Sequence, residues 1–344
     1  MVSSSNDSKP LTLADIARLA GVSRSAASRA LDRVAPVGGA RAERVRAIAA
    51  AHGYVPNSRA ANLRRQRTGL IGVVVPRLTD TVMAMLYEAI VAECAKRGCQ
   101  ATVVTTDDDH RAELERGRAL LDQRVDGFIV TTARTDGADP LLLELRERGV
   151  PFCLALRTDG ESPSALGDDE AGGWMATRHL IEAGHERIAF VGGAPYASSS
   201  QGRRAGYLRA MTEAGLSAPP ELIHETDFSM QAGVRTGHLL LALAEVPTAV
   251  FTANDSLAVG LISAALRSGL RVPEDLSLVG YNDTPIAAHL ATPLTSLAVP
   301  FAQIAADAVS RLLDGAAATD GEPITRRAPH LVSRESVTSP RRHD

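Results

Sequence analysis

The sequence predicts a small N-terminal all-α domain of the helix-turn-helix type, followed by a larger α/β body with parallel sheets. Two short helical patterns joined by a glycine indicate the first domain. Near-continuous apolar runs that alternate with helical patterns from Gly69 onward indicate the body. Charge divides the chain in the same way, because residues 1–68 carry a net charge of +8 and the remainder −11. A basic head on an acidic body favours binding of a polyanion by the head, although a solvated basic tail is the simpler alternative.

Composition excludes several classes of protein. The 344 residues are enough for two or three domains, and 45% of them are apolar. The sequence has no run of about 18 apolar residues and no apolar stretch of the secretory type near its start, so we expect a cytoplasmic protein without membrane contact. Cys94, Cys99 and Cys153 match no zinc spacing and are expected to be reduced thiols. We therefore expect no metal site and no cofactor.

The first helix is predicted from its start signal. Thr12 with Asp15 three residues later resembles a capping box, and Gly21 supplies the break at the other end. Apolar residues recur between them at helical spacing, at Leu13, Ile16, Ala17 and Ala20.

The second helix is predicted over Arg24–Leu31, with Ser23 as its N-cap. Its small apolar side chains can pack inward, namely Ala27, Ala30 and Leu31. Its polar side chains then face outward, namely Arg24, Ser25, Ser28 and Arg29. In a helix-turn-helix the second helix enters the major groove of double-stranded DNA. Arginine pairs there with guanine, whereas serine hydroxyls and free amides suit phosphates. A third helix is expected near Arg41–His52.

The segments "TLADIARLAGVS", "SRAL" and "GYVPN" ahead of "IGVVVP" closely resemble the lactose/galactose-repressor (LacI/GalR) family of bacterial transcription regulators. The resemblance covers nearly the whole chain. It implies a sequence-specific DNA-binding repressor whose operator affinity is controlled by a small-molecule effector. It also implies that Arg24, Ser25 and Arg29 read bases. The positions that hold phosphates in the family are Thr12, Ser23 and Ser28.

The same resemblance makes residues 57–65 a hinge helix that begins at Asn57. Leu63 would then be a minor-groove wedge, and Arg64 and Arg65 would meet the flanking backbone. Nine residues are too few for a stable isolated helix, so we expect the segment to order only when it pairs with its twin on DNA. An ordinary basic linker is the alternative. Two heads on a two-fold axis match a pseudo-palindromic operator, which predicts a homodimer or a dimer of dimers.

Three departures from the family pattern affect the head. Residues 38–41 read Gly-Gly-Ala-Arg where the family often has Ser-x-x-Thr, so a helix cap is missing. Ala26-Ala27 replaces a frequent Thr-Val pair. Asp32 replaces a common Asn and would repel phosphate. The operator sequence therefore cannot be transferred from a relative.

The body shows two similar cycles of strands and helices. The predicted strands are "LIGVVVP", "QATVVTT", "DGFIVTT" and "PFCLALR", then "RIAFVGG", "TAVFTAND" and "LSLVGYND". The predicted helices fall near 81–97, 110–123 and 138–148, then near 170–184, 201–215, 231–245 and 256–269. Two such sheets in tandem resemble the two-lobed periplasmic-binding-protein fold that the family uses as its sensor.

This organisation predicts three regions. Residues 1–56 are the helix-turn-helix domain, residues 57–68 are the hinge helix and linker, and residues 69–344 are the effector-sensing domain. The first lobe is expected at about 69–167 and 298–326. The second lobe is expected at about 168–297 and 327–338.

Ligands of open parallel sheets bind beyond the carboxyl ends of the strands, so the polar residues that follow each run are the candidates. The predicted effector-binding residues are Asp80, Arg157, Ser199, Arg203, Phe228 and Asp255. "RRAGY", "TAND", "TDFS" and "PFCLALR" resemble family segments that place Arg203, Asp255, Phe228 and Arg157 in the pocket. Carboxylates and arginines around one aromatic ring suit a polyhydroxyl ligand, most simply a sugar or sugar derivative.

Other interpretations of these residues stay open. Arg203 and Asp255 could form a surface ion pair or a helix cap, and Asp283 could be a turn residue in the sheet. Residues 77–82 read "RLTDTV" and lack the aromatic that the family commonly carries there, which leaves room for an anionic effector met by Arg77.

Two other classes of protein fit the sequence less well. The glycines form neither GxGxxG nor a P-loop, and the chain has no GxSxG, no HExxH and no cluster with metal-ligand spacing. The nine histidines are scattered, and His185 at the start of a strand is expected to be structural. We therefore predict no catalytic residue and no enzyme. A solute-binding protein with the same body is the alternative, but it would need a signal peptide and no basic head.

Overall fold

A computed structural model describes residues 11–31, 38–54, 68–315 and 322–341. The head contains α1 (Leu13–Ala20), α2 (Arg24–Ala30) and α3 (Ala40–Ala51). The predicted capping box is confirmed, since the Asp15 amide donates to Thr12 Oγ1 and the Asp15 carboxylate accepts from the Thr12 amide. Gly21 ends α1 with φ +66°, a left-handed conformation that glycine adopts without a steric cost. No side chain caps α3, as its Gly-Gly start predicted.

Small side chains form the core of the head. Ala27 and Ala30 of α2 are buried against Ile16 of α1 and Val45 of α3. Because these alanines add little volume, the three short helices pack closely and leave the polar face of α2 outside. This explains why so short a helix carries two arginines with so little bulk between them.

The body contains twelve strands within the described ranges. They are β1 (Leu70–Val75), β2 (Gln100–Thr105), β3 (Gly127–Val130), β4 (Phe152–Ala155), β5 (Ser164–Gly167), β6 (Ile188–Gly192), β7 (Ile223–Glu225), β8 (Ala249–Thr252), β9 (Ser277–Asn282), β10 (Thr295–Ala298), β11 (Ile324–Arg327) and β12 (His330–Val332). The first sheet has the order β11-β5-β4-β3-β1-β2, with every pair parallel. The second has the order β12-β10-β9-β8-β6-β7, and only β12 runs antiparallel there.

Helices cover both sheets. They are α4 (Thr81–Lys96), α5 (His110–Asp122), α6 (Pro140–Glu147), α7 (Asp169–Glu182), α8 (Ser198–Glu213), α9 (Met230–Leu241), α10 (Asp255–Arg267) and α11 (Phe301–Asp314). The residues of β1 alternate between the two faces, since Val73 packs in the cluster with α4 and α11 while Val74 packs with α5 and α6. The two-lobed α/β fold predicted from the sequence is therefore confirmed.

The seven predicted strands and seven predicted helices of the body all occur, with small shifts at their ends. Periodicity in the sequence did not predict α11 or five strands, namely β5, β7, β10, β11 and β12. Of these strands, β7 and β12 have only three residues each, which is too few for periodicity to identify them. The chain crosses between the sheets after β5, after β10 and after β11. Within the described residues, no helix has the length and apolarity that crossing a bilayer requires.

Candidate functional sites

The polar face of α2 is the first candidate site. Arg24, Ser25 and Arg29 are exposed, and Ser28 is half-buried beside them. Ser23 is exposed, and its hydroxyl accepts a hydrogen bond of 3.2 Å from the Ala26 amide, so it caps the helix as predicted. In the parts of the chain that the structure describes, neither Arg24 nor Arg29 pairs with a carboxylate. The exposed face of α2 is therefore cationic in the first turn, at Arg24, and in the last turn, at Arg29.

Thr12 is exposed on the neighbouring helix, but its hydroxyl is already engaged. Thr12 Oγ1 donates to Asp15 Oδ2 over 2.7 Å, and this bond holds the pKa of Asp15 below its usual range. Asn57, Leu63 and Arg64 lie outside the described residues, as do Asp32 and Arg65. Their predicted roles stay predictions.

The second candidate site is a cavity of about 120 Å³ between the two lobes, at the carboxyl ends of both sheets. The charged groups of the first lobe that line it are Arg77, Asp80, Asp107, Asp108 and Arg157. The polar and aromatic groups of the second lobe that line it are Tyr196, Ser199, Arg203, Asp227, Phe228, Asn254 and Asn282. Donors, acceptors and two aromatic rings therefore line one cleft between the lobes.

The cavity brings together five of the six predicted effector-binding residues. They are Asp80, Arg157, Ser199, Arg203 and Phe228, and Arg77 joins them. Asp255 and Asp283 are not among the residues that line the cavity.

The prediction for Asp255 requires a correction. Asp255 Oδ2 accepts from the Thr284 amide (2.7 Å) and hydroxyl (2.8 Å), and Oδ1 accepts from the Ser296 hydroxyl (2.6 Å). Burial raises its pKa to about 6 against these three hydrogen bonds. Both oxygens thus tie the start of α10 to the end of β9 and to β10, and the preceding residue, Asn254, faces the cavity instead. Asp283 has a left-handed φ of +49° and pairs with Arg334, consistent with the turn residue considered above.

Arg203 is buried on the second-lobe wall of the cavity, with 6% of its surface exposed. Its Nε donates to Asp169 over 2.8 Å, and its Nη1 donates to the Ala253 carbonyl over 2.5 Å. Its guanidinium carbon lies 3.8 Å from the centre of the Tyr281 ring. Burial raises the pKa of Asp169 to about 6, and the guanidinium beside it limits the rise. This ion pair is buried in the pocket wall and does not lie on the surface.

Arg157 connects the two lobes. It donates to both carboxylate oxygens of Asp108, over 3.0 and 3.3 Å, and is 5% exposed. Its guanidinium lies 5.6 Å from the Phe228 ring centre and 5.8 Å from that of Tyr196, both in the second lobe. Tyr196 in turn donates to Asp108 over 3.4 Å. The group therefore forms a contact between the lobes at the mouth of the cavity.

Asp80 both caps a helix and lines the cavity. One oxygen accepts from the Val82 amide over 3.0 Å and caps α4, while the residue lines the cavity. Burial raises the pKa of Asp80, and the nearby Arg77 and Arg157 oppose that rise. Asp80 is thus a carboxylate acceptor that has neighbouring cations but no close ion pair within the described residues.

Backbone conformation also distinguishes the cavity. Six residues other than glycine have positive φ in the described ranges, and four of them line it. These are Asp107 (+54°), Asp108 (+58°), Leu156 (+64°) and Asn282 (+94°). Such conformations cost energy for residues with a Cβ and concentrate at ligand sites. Leu156 shows this most clearly, because a leucine side chain gains nothing from the left-handed region.

Sequence reasoning missed Asp107, Asp108 and Tyr196. The first two directly follow the predicted strand "QATVVTT", so the rule about carboxyl ends of strands could have identified them. Tyr196 lies in a loop four residues after β6, where spacing gives no signal.

Comparison with known proteins gives consistent results for both regions. Residues 12–57 match the family model for bacterial regulatory proteins of the lacI family, and residues 177–337 match the model for a periplasmic binding protein-like domain. The chain is 31% identical over 330 residues to the HTH-type transcriptional repressor PurR of Aliivibrio salmonicida, and the alignment covers 95% of this chain and 98% of that protein.

Two solved structures are also similar over nearly their full lengths. The Lac repressor dimer bound to operator and the anti-inducer ONPF has a TM-score of 0.80 at 29% identity, with 96% of this chain and 100% of that chain covered. The complex of the transcriptional regulator CelR with cellobiose has a TM-score of 0.73 at 31% identity, with 95% and 99% covered.

Proposed function

Since the chain belongs to the lacI family of bacterial regulatory proteins and is a DNA-binding transcription regulator of the repressor type, we propose that its effector is a sugar or sugar derivative bound in the interlobe cavity. The observation that carries this proposal is the composition of the cavity wall. Asp80 and Asn282 offer acceptors, Ser199 offers a hydroxyl, and Phe228 offers an apolar ring face. Vicinal hydroxyls on a ring satisfy such a set.

An anionic effector is the second candidate, and the charges argue against it. Three arginines line the cavity, but so do four aspartates. Arg157 and Arg203 are already paired with Asp108 and Asp169. Of the three, only Arg77 has, within the described ranges, no closer carboxylate than that of Asp107, which lies 3.8 Å from its Nε. A neutral polyhydroxyl ligand therefore fits this wall better than an anion, and the cellobiose bound to the similar CelR supports the same class.

We propose that the exposed face of α2 reads the operator. Arg24, Ser25 and Arg29 contact base edges, and Thr12, Ser23 and Ser28 hold phosphates. The Lac repressor, similar over the whole chain, is a dimer on its operator. We infer the same for this chain: a homodimer or dimer of dimers on a pseudo-palindrome. Residues 57–65 would be the hinge, with Asn57 at the start, Leu63 as wedge and Arg64 on the backbone.

We propose the following division of the chain. Residues 1–56 bind DNA, 57–68 link, and 69–344 sense the effector. The first lobe comprises about 69–167 and 298–326, and the second about 168–297 and 327–338. The chain regulates and does not catalyse, in keeping with the transcriptional repressors that it resembles.

A thermal-shift screen of sugars tests the cavity, followed by calorimetry with the sugar that gives the largest shift. Asp80→Asn keeps a side chain that can cap α4 but removes the charge. We expect it to weaken binding of that sugar roughly 10- to 150-fold, the effect of about 1.5–3 kcal/mol for a charged hydrogen bond. Asp109→Asn is the matched control, because Asp109 caps α5 outside the cavity lining. Equal affinity in the Asp80 variant and its parent would remove Asp80 from the site.

Gel shifts on operators selected from random DNA test the head. Arg29→Ala should lose about 1–3 kcal/mol and relax selectivity at one base position. Leu63→Ser should lose specific binding while the effector domain still binds its sugar. Arg267→Ala, an exposed arginine of the second lobe, should change neither. A uniform loss on all DNA sequences would make Arg29 a phosphate contact.

A further inference from the structure

A buried cluster of three potential metal ligands lies in the first lobe, apart from the residues that line the cavity. His110 and Glu113 occupy the first turn of α5, and Asp139 is the N-cap of α6. One ligand atom from each residue lies within 4.8 Å of the other two. Thr132, just after β3, donates to Glu113 over 2.5 Å and fixes its carboxyl group beside the others.

The cluster leaves polar atoms without partners. Asp139 is 6% exposed, and its Oδ1 accepts from the amides of Leu141 and Leu142 over 2.9 and 3.1 Å. Its Oδ2 is buried and has no hydrogen-bond partner, and the same holds for His110 Nδ1. Native proteins rarely leave buried polar atoms unpaired, so each such atom requires an explanation. Here two such atoms belong to one cluster, in which a ligand atom of each residue lies within 4.8 Å of the others.

The cluster also lacks a neutralising charge. In the described part of the chain no arginine or lysine forms an ion pair with Glu113 or Asp139. The nearby Arg134 is committed to Asp136 through two hydrogen bonds of 2.9 and 2.6 Å. Two acidic groups buried beside each other without a counterion repel one another and lose hydration, which costs free energy. A bound cation would remove that cost.

We propose that His110, Glu113 and Asp139 form a divalent metal site in the first lobe, with Zn²⁺ as the ion that fits best. One imidazole nitrogen and two carboxylate oxygens are a donor set that zinc accepts, with water in the fourth position. Calcium and magnesium prefer six or more oxygen ligands and are a poorer match. The sequence did not reveal this site, because Glu113 and Asp139 are 26 positions apart and no spacing motif relates them.

Calorimetric titration of chelator-treated full-length protein with zinc chloride tests the proposal. We expect one equivalent per chain, bound with a Kd that Glu113→Gln raises at least tenfold, the minimum expected when a group that supports a metal is lost. Glutamine can still accept from Thr132, which preserves the local packing. His110→Ala provides a second variant, since this half-buried residue contributes little to the core and its loss should weaken zinc by a similar factor.

Glu115→Gln, on the exposed side of the same helix, is the matched control and should bind zinc like the parent. Cobalt as a spectroscopic probe should show ligand-field bands without thiolate charge transfer, because Cys94, Cys99 and Cys153 are not in the cluster. Equal zinc affinity in the parent, Glu113→Gln and His110→Ala would assign the ion to other residues and overturn the proposal. So would an absence of binding together with a higher melting temperature for Glu113→Gln, which would mean that Glu113 and Asp139 share a proton.

Discussion

The two lobes of the body have the same strand order but differ in how closely their helices pack. In the second lobe, α9 and α10 meet backbone to backbone, because a Cβ at Gly260 would overlap the Met230 carbonyl oxygen. Gly206 lies in the same way against the Glu170 carbonyl between α8 and α7. In the first lobe, a Cβ at Gly117 would meet only the Leu141 side chain. A side chain can change its rotamer more easily than a helix backbone can shift, so we expect the helix contacts of the second lobe to be the more rigid.

The arginines of the cavity show the same contrast. Arg203 is bonded within its own lobe, to Asp169 and to the Ala253 carbonyl. Arg157 holds Asp108 of its own lobe but lies against the Phe228 ring of the other. Arg203 is held by the second lobe alone, whereas Arg157 contacts both lobes, so we expect Arg157 to respond to a change in their separation.

Breaking the helix contact of the second lobe should have the largest effect. Gly260→Ala gains roughly 1 kcal/mol of helix propensity but forces α9 and α10 apart. An extra methyl group in a well-packed core typically costs about 1–3 kcal/mol of stability. Because Gly260 faces a backbone, we expect the loss to exceed that range. Urea unfolding measures the loss, and hydrogen exchange should locate it in α9 and α10.

Gly117→Ala is the matched change in the first lobe, and Gly137→Ala, with open space around it, is the neutral control. We expect Gly117→Ala to cost less than half as much as Gly260→Ala, because Leu141 can change its rotamer. Equal losses in both variants would contradict the proposed difference in rigidity.

Asp255 should matter for stability and not for the effector. Asp255→Ala leaves one amide and two hydroxyls without an acceptor, which should cost about 2–3 kcal/mol. Its pKa of about 6 in the folded protein lies above the value of 3.8 that is usual for an aspartate. The contribution of Asp255 is therefore complete below about pH 3.8 and declines as pH rises through 6. The deficit of the variant, measured by urea unfolding, should be largest near pH 4 and smaller at pH 7.

Asp283→Ala is the control, since Asp283 faces Arg334 at a more exposed turn and should cost under about 1 kcal/mol. A deficit of Asp255→Ala that grows from pH 4 to pH 7 would show that the ionised carboxylate is the stabilising form. A loss of sugar affinity without a loss of stability would show that Asp255 binds the effector.

Patterns that depend on local sequence were predictable. The capping box at Thr12, the small buried face of α2 and the apolar strands all follow from spacing, and each occurs in the structure. The carboxyl ends of the strands also pointed to Arg157 and Arg203, because this rule follows from sheet topology alone.

Details that depend on side-chain direction were not predictable. Asn254 and Asp255 are neighbours at one helix start, and only the three-dimensional position of Thr284 and Ser296 decides which of them faces the cavity. The cluster of His110, Glu113 and Asp139 was not predicted for the same reason, since tertiary packing brings its residues together. Sequence spacing identifies the edge of the sheet but not the atom that reaches the ligand.

A substitution of Arg157 should change lobe closure with a smaller effect on stability. Arg157→Lys loses the two-bond contact with Asp108 and weakens the cation–π contacts with Tyr196 and Phe228. We expect a loss of about 1 kcal/mol, or roughly a fivefold shift toward the open form. Energy transfer between labels on the two lobes measures it. Arg148→Lys is the control, because Arg148 is an exposed, ion-paired residue at the end of α6, and it should leave the distance between the labels unchanged. An equal change of distance in both variants would show that Arg157 does not control lobe closure.

The smallest expected effect comes from Tyr196→Phe, which sharpens the comparison by asking what holds the second-lobe loop to the first lobe. Burial raises the pKa of Tyr196, so its hydroxyl keeps a proton, but the bond to Asp108 is long at 3.4 Å and should contribute under about 0.5 kcal/mol. The Tyr196 carbonyl still accepts from the Thr135 amide over 3.0 Å, and Arg134 still lies 3.5 Å from the ring centre. The same energy-transfer distance should therefore stay near the parent value in Tyr196→Phe and lengthen in Tyr196→Ala. If the phenylalanine variant opens as far as the alanine variant, the hydroxyl contact with Asp108 holds the lobes together, and the ring and backbone contacts do not.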